Sequence, residues 1–191
     1  MSDYRIAAIP TVYRGRRYRS RLEARWAAFF DLLDWKHEYE PFDLGEWTPD
    51  FIMREGIDCL VEIKPISAFD RKVWDRIALC AEEHSACPSI FLSRVAPEVI
   101  GSAVEIGWLS NRFDRGKFPE PTAVRIVWGQ GRHIPAMKAL IMNARGIEWL
   151  AEHGFSEDSQ YVGTLRSYAE HTMSIWAKAT SEVQWRPEAR S

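Results

Sequence analysis

The chain is sparing with cysteine: the three it has, Cys59, Cys80 and Cys87, are odd in number and form no Cys-x-x-Cys pair. That excludes a disulfide framework and a zinc ribbon, and it fits a reducing compartment. Cys80, His84 and Cys87 share one helical face by their spacing, but zinc needs a fourth ligand that the neighbourhood lacks, so small side chains packed beside a helix are expected there. No window approaches the ~18 consecutive apolar residues of a membrane span. The opening Met1-Ser2-Asp3-Tyr4 has no charged-then-apolar signal pattern, so a cytoplasmic protein without a membrane partner is expected. Excess charge is missing as well: 25 Lys+Arg against 27 Asp+Glu leave a net −2, which argues against a uniformly basic coat for nucleic acid. There is no internal repeat and no low-complexity tract.

What is present is an ordinary globular composition, 46% hydrophobic and 27% charged over 191 residues. That length suits one domain, expected over residues 1–130, with a helical C-terminal appendage over 131–191. Nine Trp residues are spread along the whole chain, which reads as core anchors for several elements rather than one aromatic cage. Charge is uneven locally. From Arg14 to Arg25 there are six Arg (14, 16, 17, 19, 21 and 25) against one acid, Glu23. Arg16, Arg17, Arg19 and Arg21 are therefore candidates for contacting phosphates, the alternative being a solvated face.

The order of elements is α/β. Val12 to Arg16 reads as a strand meeting a Gly turn. Ser20-Arg21-Leu22-Glu23 matches the capping-box pattern, and Leu22, Trp26, Phe29, Phe30 and Leu33 continue it as a helix ending near Asp34. Short strands follow over 35–39, 47–53 and 59–64, then a helix over 69–83 and a buried strand over 89–92. Beyond Pro97 strands are expected at 106–109 and 123–128. Two amphipathic helices should close the chain, one carrying Met137, Leu140, Ile141, Ala144 and Ile147, the other Val162, Leu165, Ala169, Met173 and Trp176. They could form a homodimer or partner-protein surface, although packing on their own domain is the commoner use of such stripes.

The informative chemistry lies in Asp50 and, twelve residues on, Glu62-Ile63-Lys64. A hairpin centred on Gly56 pairs Asp50 with Glu62, Phe51 with Val61, Ile52 with Leu60 and Met53 with Cys59. One face is then wholly apolar (Phe51, Met53, Cys59, Val61, Ile63) and the other carries Asp50, Ile52, Leu60, Glu62 and Lys64; a one-residue slip would mix acids into the core. In this register the two carboxylates have Cβ atoms ~4.5–5.5 Å apart, which is destabilising unless a cation lies between them. Mg²⁺ takes one or two carboxylates plus waters and substrate phosphate, and Lys64 points to the same side, where it could orient or deprotonate a water. The alternative is an ordinary surface acid pair neutralised by Lys64.

Taken together, Tyr18-Arg19-Ser20-Arg21-Leu22-Glu23-Ala24-Arg25-Trp26-Ala27, Tyr39-Glu40-Pro41, Thr48-Pro49-Asp50-Phe51 and Val61-Glu62-Ile63-Lys64-Pro65 resemble the PD-(D/E)XK nuclease superfamily, in particular the phage and mobile-element proteins with an RSRLEARWA-like first helix. The resemblance covers about residues 12–95. It implies a restriction-endonuclease-like mixed sheet flanked by helices, and Mg²⁺- or Mn²⁺-dependent hydrolysis of phosphodiester bonds in DNA by a bacterial or phage-encoded enzyme. Under it Asp50 and Glu62 are metal ligands with the Ile63 carbonyl, Lys64 positions the water, and Glu23 reaches a second metal or its water. Glu23 also has a complete structural role as the acid of the capping box. The competing classes are a catalytically silent nucleic-acid-binding module of the same fold and a phage or transposon assembly component acting through the C-terminal helices.

Overall fold

The computed structural model describes residues 8–55, 57–101, 103–112, 116–131, 134–142 and 162–184. A small hairpin comes first, β1 (Thr11–Tyr13) and β2 (Arg16–Tyr18). Its two-residue turn has Arg14 at φ 46° and Gly15 at φ 78°, the paired positive φ that matches a tight turn to the twist of the flanking strands. Helix α1 (Arg21–Leu32) then starts at the extended N-cap Ser20, whose hydroxyl accepts the Glu23 N–H. It ends in a Schellman arrangement: Asp34, at φ 58°, donates its N–H to Asp31, and Trp35 donates to Phe30. The rings of Phe30 and Trp35 pack at 5.9 Å across that cap.

The remaining elements are β3 (His37–Tyr39), β4 (Phe51–Glu55), β5 (Ile57–Glu62), α2 (Arg71–His84), β6 (Ser89–Ile100), β7 (Ala103–Asn111), β8 (Thr122–Gly131), β9 (Ile134–Met142) and α3 (Val162–Glu182). Strands β3 to β9 form one seven-stranded sheet in chain order, so the fold is α/β with a mixed sheet flanked by helices. All neighbours are antiparallel except β5 and β6, whose parallel pairing requires the crossover that α2 supplies.

The β4–β5 register is the one the apolar pattern selects: Phe51 opposes Val61, Ile52 opposes Leu60 and Met53 opposes Cys59. Phe51, Met53, Cys59, Val61 and Ile63 all lie in the buried cluster under α1, with Trp26, Phe29 and Phe30. The opposite face is not left to solvent. Ile52, Leu60, Ile90 and Leu92 are covered by Trp74 and Ile77 of α2, giving three layers. At about 1.5–3 kcal/mol per fully buried large apolar side chain, these two interfaces dominate the stability. Cys59, Cys80 and Cys87 are free and buried.

After Pro97 the structure departs from the expected elements. Strand β6 runs on to Ile100 instead of stopping at Leu92, because a register shift between Ser93 and Glu98 absorbs Pro97, which cannot donate to a ladder. The segment expected as the first closing helix is strand β9 as far as Met142, paired with β8 through Ile126–Ile141 and Val127–Leu140; Ala144 and Ile147 lie outside the described residues. A short, almost continuously apolar run fits either period, and pairing decides. The boundary expected at 130 thus falls inside the β8–β9 hairpin, and residues 131–191 are not an all-helical appendage. Nor is α3 detached: Ala169, Ala179 and Val183 are buried in the α1 cluster, and Trp176 packs on Trp26 at 5.1 Å and Phe29 at 5.4 Å. From Ala169 on, its apolar stripe packs internally.

Gly107, at a second register shift in β7, leaves no room for a side chain against β6. A Cβ there would lie 2.2 Å from the Leu92 carbonyl oxygen and 2.7 Å from Cε2 of Phe91. Gly107→Ala is therefore expected to lower unfolding stability in urea by about 1–3 kcal/mol, as overpacking in a dense core does. A midpoint equal to wild type would mean that β6 and β7 separate more easily than this packing implies.

Candidate active site

At the ends of β4 and β5 the established register carries one step further and sets Asp50 opposite Glu62. Both are acidic residues in a dry place, each 3% exposed. Every carboxylate oxygen of the pair has a donor. Asp50 Oδ2 accepts the Ile63 N–H at 2.7 Å, and its Oδ1 meets Nη2 of Arg19 at 2.6 Å. Glu62 Oε2 accepts the Trp47 indole N–H at 2.8 Å, and Oε1 lies 2.6 Å from the Lys64 Nζ. The Lys64 backbone is fixed by its N–H to Ser93 Oγ at 3.1 Å, while its side chain is 32% exposed and reaches from the buried pair toward solvent.

Glu23 approaches from α1. It is 7% exposed, and its Oε1 accepts the Ser20 hydroxyl at 2.7 Å while Oε2 accepts the Tyr39 hydroxyl at 2.6 Å and the Arg19 N–H at 3.2 Å. The capping box is thus closed one residue earlier than expected, on the backbone of Arg19 rather than Ser20. Glu23 connects to Asp50 through Arg19, whose guanidinium also meets Glu40 Oε1 at 2.8 Å.

Four carboxylates, Glu23, Glu40, Asp50 and Glu62, therefore surround two cations, Arg19 and Lys64. The imbalance falls on Asp50. Burial first, then the facing Glu62 carboxylate, push its carboxyl up to about 8, against the Ile63 N–H and Lys64, which pull it down. Arg19 is raised too: burial disfavours its charge, but Asp50 and Glu40 outweigh that and hold it more firmly protonated.

The donor set is chemically suited to a hard divalent ion, which would offset the burial and the facing carboxylate that raise Asp50. Asp50 and Glu62 would be its protein ligands. Among the described residues no group of three His, Cys, Asp or Glu side chains is arranged to hold a metal. Two carboxylates, completed by water and phosphate, match the sparse protein ligation usual for Mg²⁺.

The six Arg of the basic stretch divide into two groups. Arg14 is paired with Asp31 at 3.0 Å and Arg19 with the site acids. Arg16 and Arg17 are exposed on β2, and Arg21 and Arg25 half-buried on α1; none of the four has an ion-pair partner among the described residues. The Nε atoms of Arg21 and Arg25 are buried without a hydrogen-bond partner among the described residues. Burial, and then Arg21 one turn away, pull Arg25 down from the usual guanidinium range. Unpaired guanidinium groups beside a helix start, where backbone N–H groups and the dipole already favour negative charge, suit an incoming phosphate.

Three site residues were not singled out for function by sequence reasoning: Trp47 and Ser93, and Tyr39 as the donor to Glu23. Nothing local distinguishes Trp47 from eight other indoles, since its role depends on a contact fifteen residues away. Among the described residues no helix is long and apolar enough to cross a membrane. Comparison with protein families, curated proteins and solved structures found no match to the chain.

The raised Asp50 carboxyl has a defined effect on stability. Between its ordinary value of 3.8 and about 8 the folded protein holds a proton that the unfolded chain releases, so folding is progressively disfavoured as pH rises through that window. Asp50→Asn removes this dependence. The melting temperature of wild type should fall relative to Asp50→Asn between pH 4 and 8. Adding Mg²⁺ at pH 8 should raise wild type more than the variant, because an ion that binds only the folded state stabilises it. Parallel pH curves with identical responses to Mg²⁺ would contradict the assignment.

Proposed function

We propose that the protein is a Mg²⁺- or Mn²⁺-dependent nuclease that hydrolyses phosphodiester bonds in DNA, built on a restriction-endonuclease-like version of the mixed α/β sheet. The observation that carries this reading is the buried Asp50–Glu62 pair, with Lys64 bound to Glu62 at its open end. Burying two acids face to face costs stability and contributes nothing to packing, which is the pattern expected where a site serves chemistry.

A divalent ion held by Asp50, Glu62 and the Ile63 carbonyl would supply Lewis acidity and a water acidified toward neutral pH. The rest belongs to the chain. Lys64, on the same side of the hairpin as both acids, orients the attacking water and offsets charge developing on the phosphorane oxygens. Trp47 holds the Glu62 carboxylate in one orientation and shields it from bulk water. Glu23 acts as a positioning residue, tying Ser20, Tyr39 and the Arg19 backbone into one rigid corner. In this reading Arg16, Arg17 and Arg21 hold the DNA backbone.

A silent nucleic-acid-binding module is the second reading, favoured by the donors that already occupy all four oxygens of the acid pair. The two readings separate on Lys64→Ala. For the nuclease, cleavage of supercoiled DNA in Mg²⁺ should fall by about 10²-fold or more, the usual worth of a positioned proton-transfer group, with folding and DNA binding retained. Absence of divalent-dependent cleavage in wild type would leave the binding module.

The arginine division gives an independent test. Neutralising Arg16 and Arg17 should weaken binding to unrelated duplexes equally and reduce the log–log salt slope by about 0.9 for each phosphate that the pair had screened. An unchanged slope would make this stretch a solvated face.

A further inference from the structure

Arg19 is where the structure and the simplest view of the basic stretch part company. A residue expected to face DNA lies with its guanidinium among carboxylates: Nη2 at 2.6 Å from Asp50, Nε at 2.8 Å from Glu40 and 4.0 Å from Glu23. We propose that Arg19 is an internal stand-in for the divalent cation, occupying the Asp50 Oδ1 oxygen until an ion displaces it, and that the displaced guanidinium then grips the phosphate backbone of the substrate. The inference rests on the reading of Asp50 as a metal ligand and adds to it a linkage between ion loading and substrate binding.

Four features support it. Asp50 Oδ2 is already taken by the Ile63 N–H, so Oδ1, the atom Arg19 occupies, is the oxygen through which an ion would chiefly be ligated. An arginine cannot leave by losing its proton, so the atom is freed only if the side chain moves. The route is open: the Arg19 side chain is 54% exposed although its partner is 4% exposed, and its backbone is pinned separately by Glu23 and Tyr39, so the side chain can swing without unfolding the corner. Glu40, finally, supplies a second carboxylate from backbone at φ 45°, a region few non-glycine residues adopt, while its N–H is bonded to the Asp50 carbonyl at 2.9 Å. Backbone held in that region, next to a residue assigned to the site, is a cost that packing alone does not account for.

The displaced fork suits its second partner, since a guanidinium presents parallel N–H groups that match two phosphate oxygens. It would emerge at the start of α1, beside Arg21 and two residues after Arg17. Linkage is reciprocal: by whatever factor the bound ion raises affinity for the substrate, the substrate raises affinity for the ion.

The test compares wild type with Arg19→Met and Arg19→Lys, using Mn²⁺ followed by electron paramagnetic resonance without nucleic acid, and a cleavage-resistant phosphorothioate duplex with and without Mn²⁺. If Arg19 occupies the site about nine-tenths of the time, Arg19→Met should bind Mn²⁺ about tenfold more tightly than wild type. Wild type should gain about fivefold or more in duplex affinity on adding Mn²⁺, in the range of ordinary coupling energies, and Arg19→Met should lose most of that gain. Arg19→Lys, a point charge without the fork, should fall between the two. In wild type itself, the Arg19 Nε–H resonance should be protected from water exchange without ion and lose protection when Mg²⁺ is added. Equal or weaker Mn²⁺ binding by Arg19→Met, with wild type binding normally, would overturn the stand-in role alone. No Mn²⁺ binding by either protein would overturn the metal site on which it rests.

Discussion

Two carboxylates facing each other in a dry corner of a β-hairpin are the constraint around which this chain is organised. Asp50 and Glu62 are brought together by strand register, and that register is imposed by the apolar face they do not belong to. Phe51, Val61 and Ile63 must lie under Trp26, Phe29 and Phe30, and in a strand with period two that requirement turns the acids toward the α2 side. The stability of the α1 interface thus holds together a pair that would otherwise separate. Arg19, Lys64, Trp47 and the Ile63 amide each answer the same problem, an excess of negative charge removed from water.

Legibility in the sequence followed the range of the interactions involved. The α1 cap depends on Ser20 and Glu23, three residues apart, and the β4–β5 register on a dozen residues of alternating pattern; both can be read locally. The site carboxylates and Lys64 came with them. Arg19 did not: its charge suggested a phosphate, whereas its contact with Asp50 spans 31 positions and cannot be seen from its neighbours. The same holds for Trp47 and Tyr39, which are indistinguishable by type from aromatic core residues until their polar atoms are placed.

Beyond Pro97 the difficulty was of another kind. The run from Ile134 to Met142 has so few polar residues, Lys138 alone being charged, that period two and period 3.6 fit it alike, and the complementary strand β8 selects between them. The register shift at Ser93–Glu98 hid the length of β6, because a proline that would end an ordinary strand is tolerated where the ladder is already interrupted. The closing helix kept its predicted type and the commoner of its two expected uses, packing on its own domain: Trp176 completes the aromatic cluster over α1. Residues far from the acids therefore still support them, through the layer that sets their register.

The central claim is that the Asp50–Glu62 pair is a divalent-ion site, and it is tested most directly by locating the ion. In ¹⁵N-labelled protein titrated with substoichiometric Mn²⁺, paramagnetic broadening should appear first at the amides of Asp50, Glu62 and Ile63, and should vanish from them in Asp50→Asn. Broadening centred on exposed acids such as Asp43 or Asp58, with the β4–β5 ends unaffected, would contradict the account.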